Sequence, residues 1–395
     1  MTNLPNDVIC FSHLRWGFVF QRPQHLLRRC AAQHRVYFVE EPVLENDKAE
    51  LRHSLCGRTG VHIVTPYLPA NTQPATVNIA MRQLLKEFIE QQSIRDFIAW
   101  YYTPMALEFT GDLNPVLTVY DCMDELSGFA NAPAGLLDNE RKLFQKADLV
   151  FTGGASLYES KSAKHKEVHL FPSSVEVAHF AQAQTGRHDP ADQQSIPHPR
   201  LGYAGVIDER MDLDLIAYLA NKRPEWQIVL LGPVVKIDPA SIPHRNNVHL
   251  LGMKKYEELP SYLSGWDVAL LPFAQNDATR FISPTKTPEY LAAGLPVVST
   301  PIRDVERPYG KLGLVRIGRT HEEFLTQVEA QLRDGQPAQW QSDVDAFLSS
   351  SSWDKTWSGM SALIDRELDR KRTANISASQ VRPAERETAT SVLHV

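Results

Sequence analysis

Residues 282–300 read ISPTKTPEYLAAGLPVVST and contain the clearest structural signal in the chain. Pro288 suits the first turn of a helix, and Gly294 suits the position just past a helix end. The apolar run at 297–300 then predicts a buried strand. A loop, a short helix and a strand in this order are one unit of a doubly wound parallel sheet.

The same alternation of strands and helices continues outward in both directions. The predicted strands lie at residues 8–12, 35–39, 61–64, 96–100, 117–120, 149–152 and 168–171, and then at 200–206, 227–231, 249–251, 268–272 and 297–300. The predicted helices lie at residues 23–33, 79–92, 135–146, 212–221, 256–264, 287–293, 322–332 and 353–369. Strands that alternate with helices imply right-handed crossovers, so the sequence predicts an α/β protein with two Rossmann-like doubly wound domains.

Changes in composition divide the chain. Residues 1–180 form the predicted first domain, and the polar, proline-bearing segment 181–199 is expected to be a linker. Residues 200–350 form the predicted second domain, followed by a helical segment at 351–370. The stretch 371–395 is poor in large apolar residues and is expected to be disordered.

Composition narrows the class of protein. The 395 residues are 43% apolar and 22% charged, as in packed globular proteins, and no apolar run approaches the roughly 18 residues of a membrane span. The N-terminus lacks the pattern of a secretory signal, so we expect a cytoplasmic protein. The net charge of −6 disfavours nucleic acid as the main partner, although a local basic patch could still meet a membrane surface. The four cysteines show no CxxC pair, which argues against a zinc site.

The loop after the first strand carries a cluster of polar and aromatic side chains. In parallel sheets, ligands bind beyond the carboxyl ends of the strands, which is where this loop lies. The cluster consists of Arg15, Trp16, Arg22 and His25. It predicts a ligand-binding site, which the family resemblance described below implies to be the acceptor site, while a plain strand-to-helix turn is the alternative.

Acidic residues follow the strand at 117–120 in the sequence DCMDE. A carboxylate at such a strand end can act as a general base on a hydroxyl group if its surroundings tune its pKa. Asp121 is the predicted catalytic residue. Asp124 is a predicted acceptor ligand, and the alternative role for it is to cap a helix.

The second domain begins with LGYAGVIDER at residues 201–210. Gly205 lies at a strand end, where the absence of a side chain allows a diphosphate to approach the backbone. Arg210 follows closely, and its guanidinium group fits phosphate oxygens with two parallel hydrogen bonds. Both residues are predicted to bind the diphosphate of a donor substrate, and Arg210 is also a predicted catalytic residue.

The loop at 283–286 adds further predicted donor ligands beside the start of a helix. Ser283, Thr285 and Lys286 lie beside the N-terminus of the predicted helix, which attracts anions. Lys286 adds a full positive charge that can stabilise a leaving phosphate group, so it is also a predicted catalytic residue. Glu289 could accept hydrogen bonds from ribose hydroxyls; simple complementation of the helix dipole is the alternative role. With Lys286 and Arg210 available to the diphosphate, no metal and no cofactor are expected.

These motifs resemble the GT-B glycosyltransferases, and within them the group related to family 4 enzymes of bacterial polysaccharide synthesis. The resemblance rests on SPTKTPEYLAAGLPVVST, supported by LGYAGVIDER, FPSSVEVAHF, SGWDVALLPF and SSWDKTW. It implies two facing domains with the donor nucleotide on the second and the acceptor on the first. It also implies that Glu289 holds the ribose, that Lys286 and Arg210 hold the diphosphate, and that the last helix crosses back onto the first domain.

The resemblance implies a glycosyltransferase, with retention of configuration slightly favoured, acting in cell-surface polysaccharide synthesis. The implied partners are a nucleoside-diphosphate sugar and a saccharide or lipid-linked acceptor, with peripheral association at the inner membrane face as a further expectation. One departure from the family is Phe281, which stands where many retaining relatives have a glutamate. A nucleotide-sugar epimerase and a non-catalytic nucleotide- or sugar-binding protein remain as alternatives.

Overall fold

The computed structural model describes residues 5–186 and 189–381, which form two α/β domains that face each other across a cleft. The predicted fold class is therefore confirmed. Each domain has a central sheet of mostly parallel strands with helices on both faces, and each sheet has its own hydrophobic core.

The first sheet has the strand order β3-β5-β2-β1-β6-β7-β8-β9, with β4 pairing to β5. Its strands are β1 (Asp7–Phe11), β2 (Arg35–Val39), β3 (Val43–Asn46), β4 (Glu50–Leu55), β5 (His62–Pro69), β6 (Phe97–Tyr101), β7 (Leu117–Cys122), β8 (Leu149–Thr152) and β9 (Val168–Leu170). Strand β4 runs antiparallel to β5, whereas β1 pairs in parallel with both β2 and β6. Strands β3 and β4 were missed by the sequence prediction because they are short, polar and largely exposed.

Helices cover both faces of this sheet. They are α1 (Arg22–Cys30), α2 (Pro74–Gln91), α3 (Leu107–Thr110), α4 (Leu136–Lys146), α5 (Ala155–Lys161) and α6 (Val177–Phe180), with 3-10 turns at Pro104–Ala106, Leu126–Gly128 and Ala181–Thr185. Helix α1 begins with Pro23 in its first turn and buries Leu26 and Leu27 against the sheet.

The second sheet has the order β12-β11-β10-β13-β14-β15. Its strands are β10 (Arg200–Ala204), β11 (Gln227–Leu231), β12 (Val248–Gly252), β13 (Val268–Leu271), β14 (Val297–Ser299) and β15 (Arg316–Ile317). The remaining helices are α7 (Leu213–Lys222), α8 (Leu259–Leu263), α9 (Lys286–Ala292), α10 (Arg303–Val305), α11 (His321–Asp334), α12 (Trp340–Leu348) and α13 (Trp353–Val381). Short turns lie at Pro239–Ser241, Tyr256–Glu258 and Glu306–Gly310.

The segment predicted as an exposed linker at 181–199 differs from that expectation in the part that the structure describes. Gln193 is fully buried; its amide donates to the carbonyl of Tyr262 at 3.0 Å and accepts from the indole of Trp266 at 3.0 Å. Arg200 and Asp189 pair at 2.5 Å. These polar contacts hold the segment on the second domain. The sequence prediction missed them because it relied on apolar residues to recognise packed segments.

Helix α13 packs on the first domain, although the chain reaches it only after completing the second. Apolar side chains at three- and four-residue spacing join the core of the first domain; they are Trp353, Trp357, Met360, Ile364 and Leu368. The helix continues to Val381, beyond the predicted end at residue 370, and Lys371 pairs with Asp148 at 2.6 Å. The start of the stretch 371–395 is thus helical rather than disordered, and residues 382–395 lie outside the described part of the chain.

Candidate functional site

The cleft between the domains lies at the carboxyl ends of both sheets and has two adjoining parts. The larger part has a volume of about 370 Å³ and the smaller about 130 Å³. Val19, Gly205 and Lys286 line both parts and mark their junction. This is the region where unpaired loop and helix groups gather in parallel sheets.

Two glycines that line the cleft pack too closely against neighbouring atoms to carry a side chain. A β-carbon on Gly205 would lie 2.7 Å from the hydroxyl of Tyr203, and one on Gly232 would lie 1.8 Å from the carbonyl oxygen of Gly205. Side chains are therefore excluded at both positions. The N–H of Gly205 already donates to the carbonyl of Leu231 at 2.8 Å, so Gly205 contributes space and not a free donor.

The loop before α9 brings four predicted donor ligands together. Ser283, Thr285 and Lys286 line the smaller part of the cleft, and Lys286 with Glu289 lines the larger. The ammonium of Lys286 lies 3.1 Å from Thr285 Oγ1 and 3.3 Å from Glu289 Oε2. Burial raises the pKa of Glu289, and the charge of Lys286 opposes this shift.

Arg210 lines the smaller part of the cleft from the loop after β10. Its Nε lies 3.0 Å from Asp208 Oδ1, and its Nη2 lies 2.7 Å from Oδ2, so the carboxylate fixes the orientation of the guanidinium. Burial lowers the pKa of Arg210, but the hydrogen bonds and charge of Asp208 outweigh burial and raise it. The guanidinium is thus charged and held in place beside Gly205 and Lys286.

Asp121, near the end of strand β7, and Asp124, just beyond it, have different surroundings, which the sequence did not predict. Asp124 lines the smaller part of the cleft, and burial raises its pKa against the charges of Arg210 and Arg22. Asp121 is fully buried and accepts hydrogen bonds from Arg22 at 2.8–3.2 Å. The expectation that Asp121 faces the acceptor is corrected, because its carboxylate is committed to a buried ion pair.

The residues of the predicted acceptor cluster do not all line the cleft. Trp16 lines the larger part of the cleft and Arg22 the smaller, although Arg22 is 3% exposed. Arg15 lies outside both parts and donates to Glu40 and to the carbonyl of Glu41.

His25 is buried, and its ring is stacked on Trp353 with the centroids 4.6 Å apart. Burial, reinforced by the charges of Arg28 and Arg29, lowers the pKa of His25 to about 2. His25 and Arg15 therefore support the fold around the cleft and do not line it.

Several cleft residues were not predicted. Tyr256 and Lys254 line the larger part, and Arg58 of the first domain forms an ion pair with Glu257 of the second domain at its margin. The sequence signal for Arg58 is its position between two glycines in CGRTG, a loop that follows β4. Without knowledge of the domain arrangement, that loop cannot be placed opposite the second domain.

Phe281 packs against the apolar core of the first domain, with the guanidinium of Arg280 5.2 Å from its ring centroid. The residue that replaces the family glutamate is thus part of the contact between the domains. Within residues 5–186 and 189–381, no group of three or more side chains is suited to hold a metal ion. None of the helices described is long and apolar enough to cross a membrane.

Part of the chain is similar in sequence to known proteins. Residues 199–334 match the family model of glycosyl transferases group 1. A Bacillus subtilis (strain 168) protein described as the teichuronic acid biosynthesis glycosyltransferase TuaH is 26% identical over 214 residues, which are 48% of this chain and 53% of that protein. The match thus spans about half the length of that relative.

Solved structures resemble most of the chain, across both domains. Sucrose-phosphate synthase from Thermosynechococcus elongatus has a TM-score of 0.68 at 14% identity, covering 91% of this chain and 98% of that one. Anabaena HepE in complex with UDP and glucose has a TM-score of 0.64 at 12% identity, covering 91% and 99%. Residues 199–334 are therefore similar to the glycosyl transferases group 1 family, and the chain as a whole has the GT-B fold.

Proposed function

We propose that this protein transfers a sugar from a nucleoside-diphosphate sugar to an acceptor hydroxyl. The observation that carries the proposal is that Lys286 lies with Gly205 at the junction of the cleft and that Arg210 lines the adjoining smaller part. Two fixed cations beside a position without a side chain suit a diphosphate. The family match of residues 199–334 and the UDP complex of the structural neighbour HepE support this.

The larger part of the cleft is proposed to hold the nucleoside. Glu289 lies there beside Lys286, so its carboxylate can accept hydrogen bonds from ribose hydroxyls while the ammonium faces the phosphates. Tyr256 lines the same part, with its ring stacked on His179 at a centroid distance of 4.2 Å. The smaller part, lined by Asp124, Arg210 and Ser283, is proposed to hold the transferred sugar and the attacking hydroxyl.

The chemistry of the transfer follows from these charges. As the bond between sugar and phosphate breaks, negative charge grows on the leaving diphosphate. Lys286 and Arg210 are oriented beforehand by Glu289 and Asp208, so they stabilise this charge without reorganisation. We propose that the reaction needs no divalent metal, because these cations supply the charge.

We propose retention of configuration, in which the leaving phosphate oxygen takes the acceptor proton. Asp121, the base predicted from the sequence, is committed to Arg22, which favours this route. Asp124 is the carboxylate that an inverting route would use, because it lines the smaller part of the cleft.

The acceptor is proposed to be a saccharide or a lipid-linked saccharide in cell-surface polysaccharide synthesis, because the relative TuaH is described by such a role. A cytoplasmic location with peripheral association at the inner membrane face is part of the same proposal.

A thermal-shift screen against UDP, GDP, ADP and their sugars tests the donor assignment, since a ligand that binds the native state raises the melting temperature. Product analysis with the stabilising donor and candidate saccharides then tests transfer. If no nucleotide shifts the melting temperature and no sugar is transferred, the proposed function is wrong.

A further inference from the structure

We propose that Phe129, which belongs to the first domain, is a positioning residue for Arg210 and Lys236 in the second. This inference rests on the proposed function, since Arg210 is one of the two cations proposed to bind the diphosphate, and Lys236 lies close enough to Asp124 of the smaller part for its charge to oppose the rise in the pKa of that carboxyl. The guanidinium carbon of Arg210 lies 5.3 Å from the centroid of the Phe129 ring, and the ammonium of Lys236 lies 5.0 Å from it. Both distances are within the roughly 6 Å range of cation–π attraction.

The backbone on both sides of Phe129 touches the second domain. A β-carbon on Gly128 would lie 2.6 Å from the carbonyl oxygen of Asp277, so only glycine permits this approach. The N–H of Ala130 donates to Glu209 Oε1 at 3.3 Å. The ring is thereby set against the loop that carries Arg210.

The loop that carries Phe129 is anchored firmly in the first domain. Glu125, at the start of the 3-10 turn before Phe129, pairs with Lys161 at 2.7 Å. Lys161 is fully buried and also contacts Glu140 at 2.6 Å. Burial lowers the pKa of Lys161, but nearby acidic groups, including both carboxylates, outweigh burial and raise it, so the lysine stays charged and the anchor holds.

Lys236 has an unusual backbone conformation that fits this role. Its φ of +61° lies in the left-handed region that side-chain-bearing residues seldom adopt. The preceding N–H of Val235 donates to the carbonyl of Ile207 at 3.0 Å and holds the loop after β11 beside the loop after β10. Such conformations persist where the surrounding structure requires them, and here the ammonium of Lys236 lies at the Phe129 ring.

The consequence is a donor site completed by the facing domain. Arg210 and Lys236 belong to the second domain, while the aromatic ring that holds them belongs to the first. When the domains separate, the cations lose this support. Binding of a diphosphate therefore favours the closed arrangement, because the ligand gains most from cations that are already in place.

Calorimetric titration of the full chain tests the inference. UDP, GDP and ADP are titrated first, and the tightest binder and its nucleoside serve as the probe pair for the variants. Phe129→Leu removes the aromatic face, Phe129→Tyr keeps it, and Phe109→Leu makes the same change at a half-buried ring of the first domain that packs on Phe11. We expect Phe129→Leu to weaken the diphosphate about 3- to 30-fold while nucleoside affinity stays within about twofold.

Phe129→Tyr and Phe109→Leu should both bind the diphosphate as the parent does. Lys236→Gln should weaken it selectively too, and its effect should not add fully to that of Phe129→Leu, because the two side chains act together. If Phe129→Leu is poorly folded, Phe129→Met takes its place in the same comparison, because methionine also lacks the aromatic face and adapts to the space that the ring leaves.

Equal weakening of diphosphate and nucleoside by Phe129→Leu, or no weakening of either, would overturn the inference while leaving the proposed function intact. If the parent itself binds none of the three nucleotides, the proposed function fails and this inference fails with it.

Discussion

The guanidinium of Arg22 and the carboxylate of Asp121 form an ion pair that is almost entirely shielded from solvent. Arg22 Nη2 lies 2.8 Å from Asp121 Oδ1, and the two residues are 3% and 0% exposed. Arg22 Nη1 also donates to the carbonyl of Phe171 at 2.8 Å. The pair therefore joins the start of α1 to the end of β7 and to the segment that leaves the first domain.

Asp121→Asn should destabilise the fold more than it impairs chemistry. The change leaves the buried guanidinium without its counter-charge, which typically costs about 3–5 kcal/mol of unfolding free energy. Urea unfolding measures this loss. The matched control is Asp138→Asn, which breaks an exposed pair with Arg141 and should cost about 0–1 kcal/mol. A fully stable Asp121→Asn variant with turnover reduced a hundredfold or more would return Asp121 to the mechanism.

Lys286→Ala should weaken binding of a nucleoside diphosphate much more than binding of the nucleoside, because it removes a charge directed at phosphate. Glu289→Gln should weaken both ligands alike, by about 1–3 kcal/mol, because it acts through the ribose. Calorimetric titration of each variant with both ligands gives the comparison. If both variants bind all ligands as the parent does, the donor pocket is assigned wrongly.

Asp124→Asn separates the two stereochemical routes. Under retention the leaving phosphate oxygen takes the proton, so we expect a loss in turnover of less than about tenfold together with a raised KM for the acceptor. NMR of the anomeric proton of the product, compared with that of the donor, should show the same configuration. An inverted product, with turnover of Asp124→Asn reduced about 10²- to 10⁴-fold, would instead identify Asp124 as a general base.

Removal of divalent metals should leave the transfer rate unchanged. Lys286 at the junction of the cleft and Arg210 in the smaller part already supply two positive charges where the leaving diphosphate is proposed to lie. The measurement is the initial rate after dialysis against EDTA, with and without added Mg²⁺ or Mn²⁺. Activity lost with EDTA and regained with either ion contradicts the proposed mechanism.

His25 should make stability fall as the solution becomes acidic. Its folded-state pKa is about 2, against 6.5 for the free side chain, so below pH 6.5 the unfolded chain binds a proton that the folded chain does not. The stabilisation is fully present above pH 6.5 and is lost as the pH falls. Between pH 6 and 5, we expect His25→Gln to reduce the slope of unfolding free energy against pH by about 1 kcal/mol per unit. The matched control is His244→Gln, which removes an exposed histidine. An unchanged slope in His25→Gln would contradict the pKa shift.

The sequence predicted most of the elements that carry the site. The helix at Lys286–Ala292 and the strand at Val297–Ser299 lie within one residue of their predicted bounds, because Pro288, Gly294 and a buried apolar run specify them locally. Local signals also placed Lys286, Glu289 and Arg210 in the cleft.

What the sequence could not predict depends on contacts between distant parts of the chain. Asp121 and Asp124 are three residues apart in the sequence, and nothing in the residues around them distinguishes their roles. The difference comes from Arg22, 99 residues from Asp121, which pairs with Asp121 and leaves Asp124 to line the cleft. The role of Phe129 depends likewise on Arg210 and Lys236, which come from the other domain.

The return of helix α13 to the first domain determines how the protein can be divided and how it is made. Trp353 and Trp357 complete the core of a domain whose sheet ends at Leu170, and Ser174 bonds to Thr356 at 2.9 Å where the outgoing and returning segments meet. During synthesis, the apolar surface of the first domain that Trp353 and Trp357 cover therefore stays exposed until helix α13, which follows the second domain, has been made. A fragment cut before Trp353 would keep that surface exposed and should aggregate, whereas co-expression with a peptide of residues 350–381 should restore its solubility.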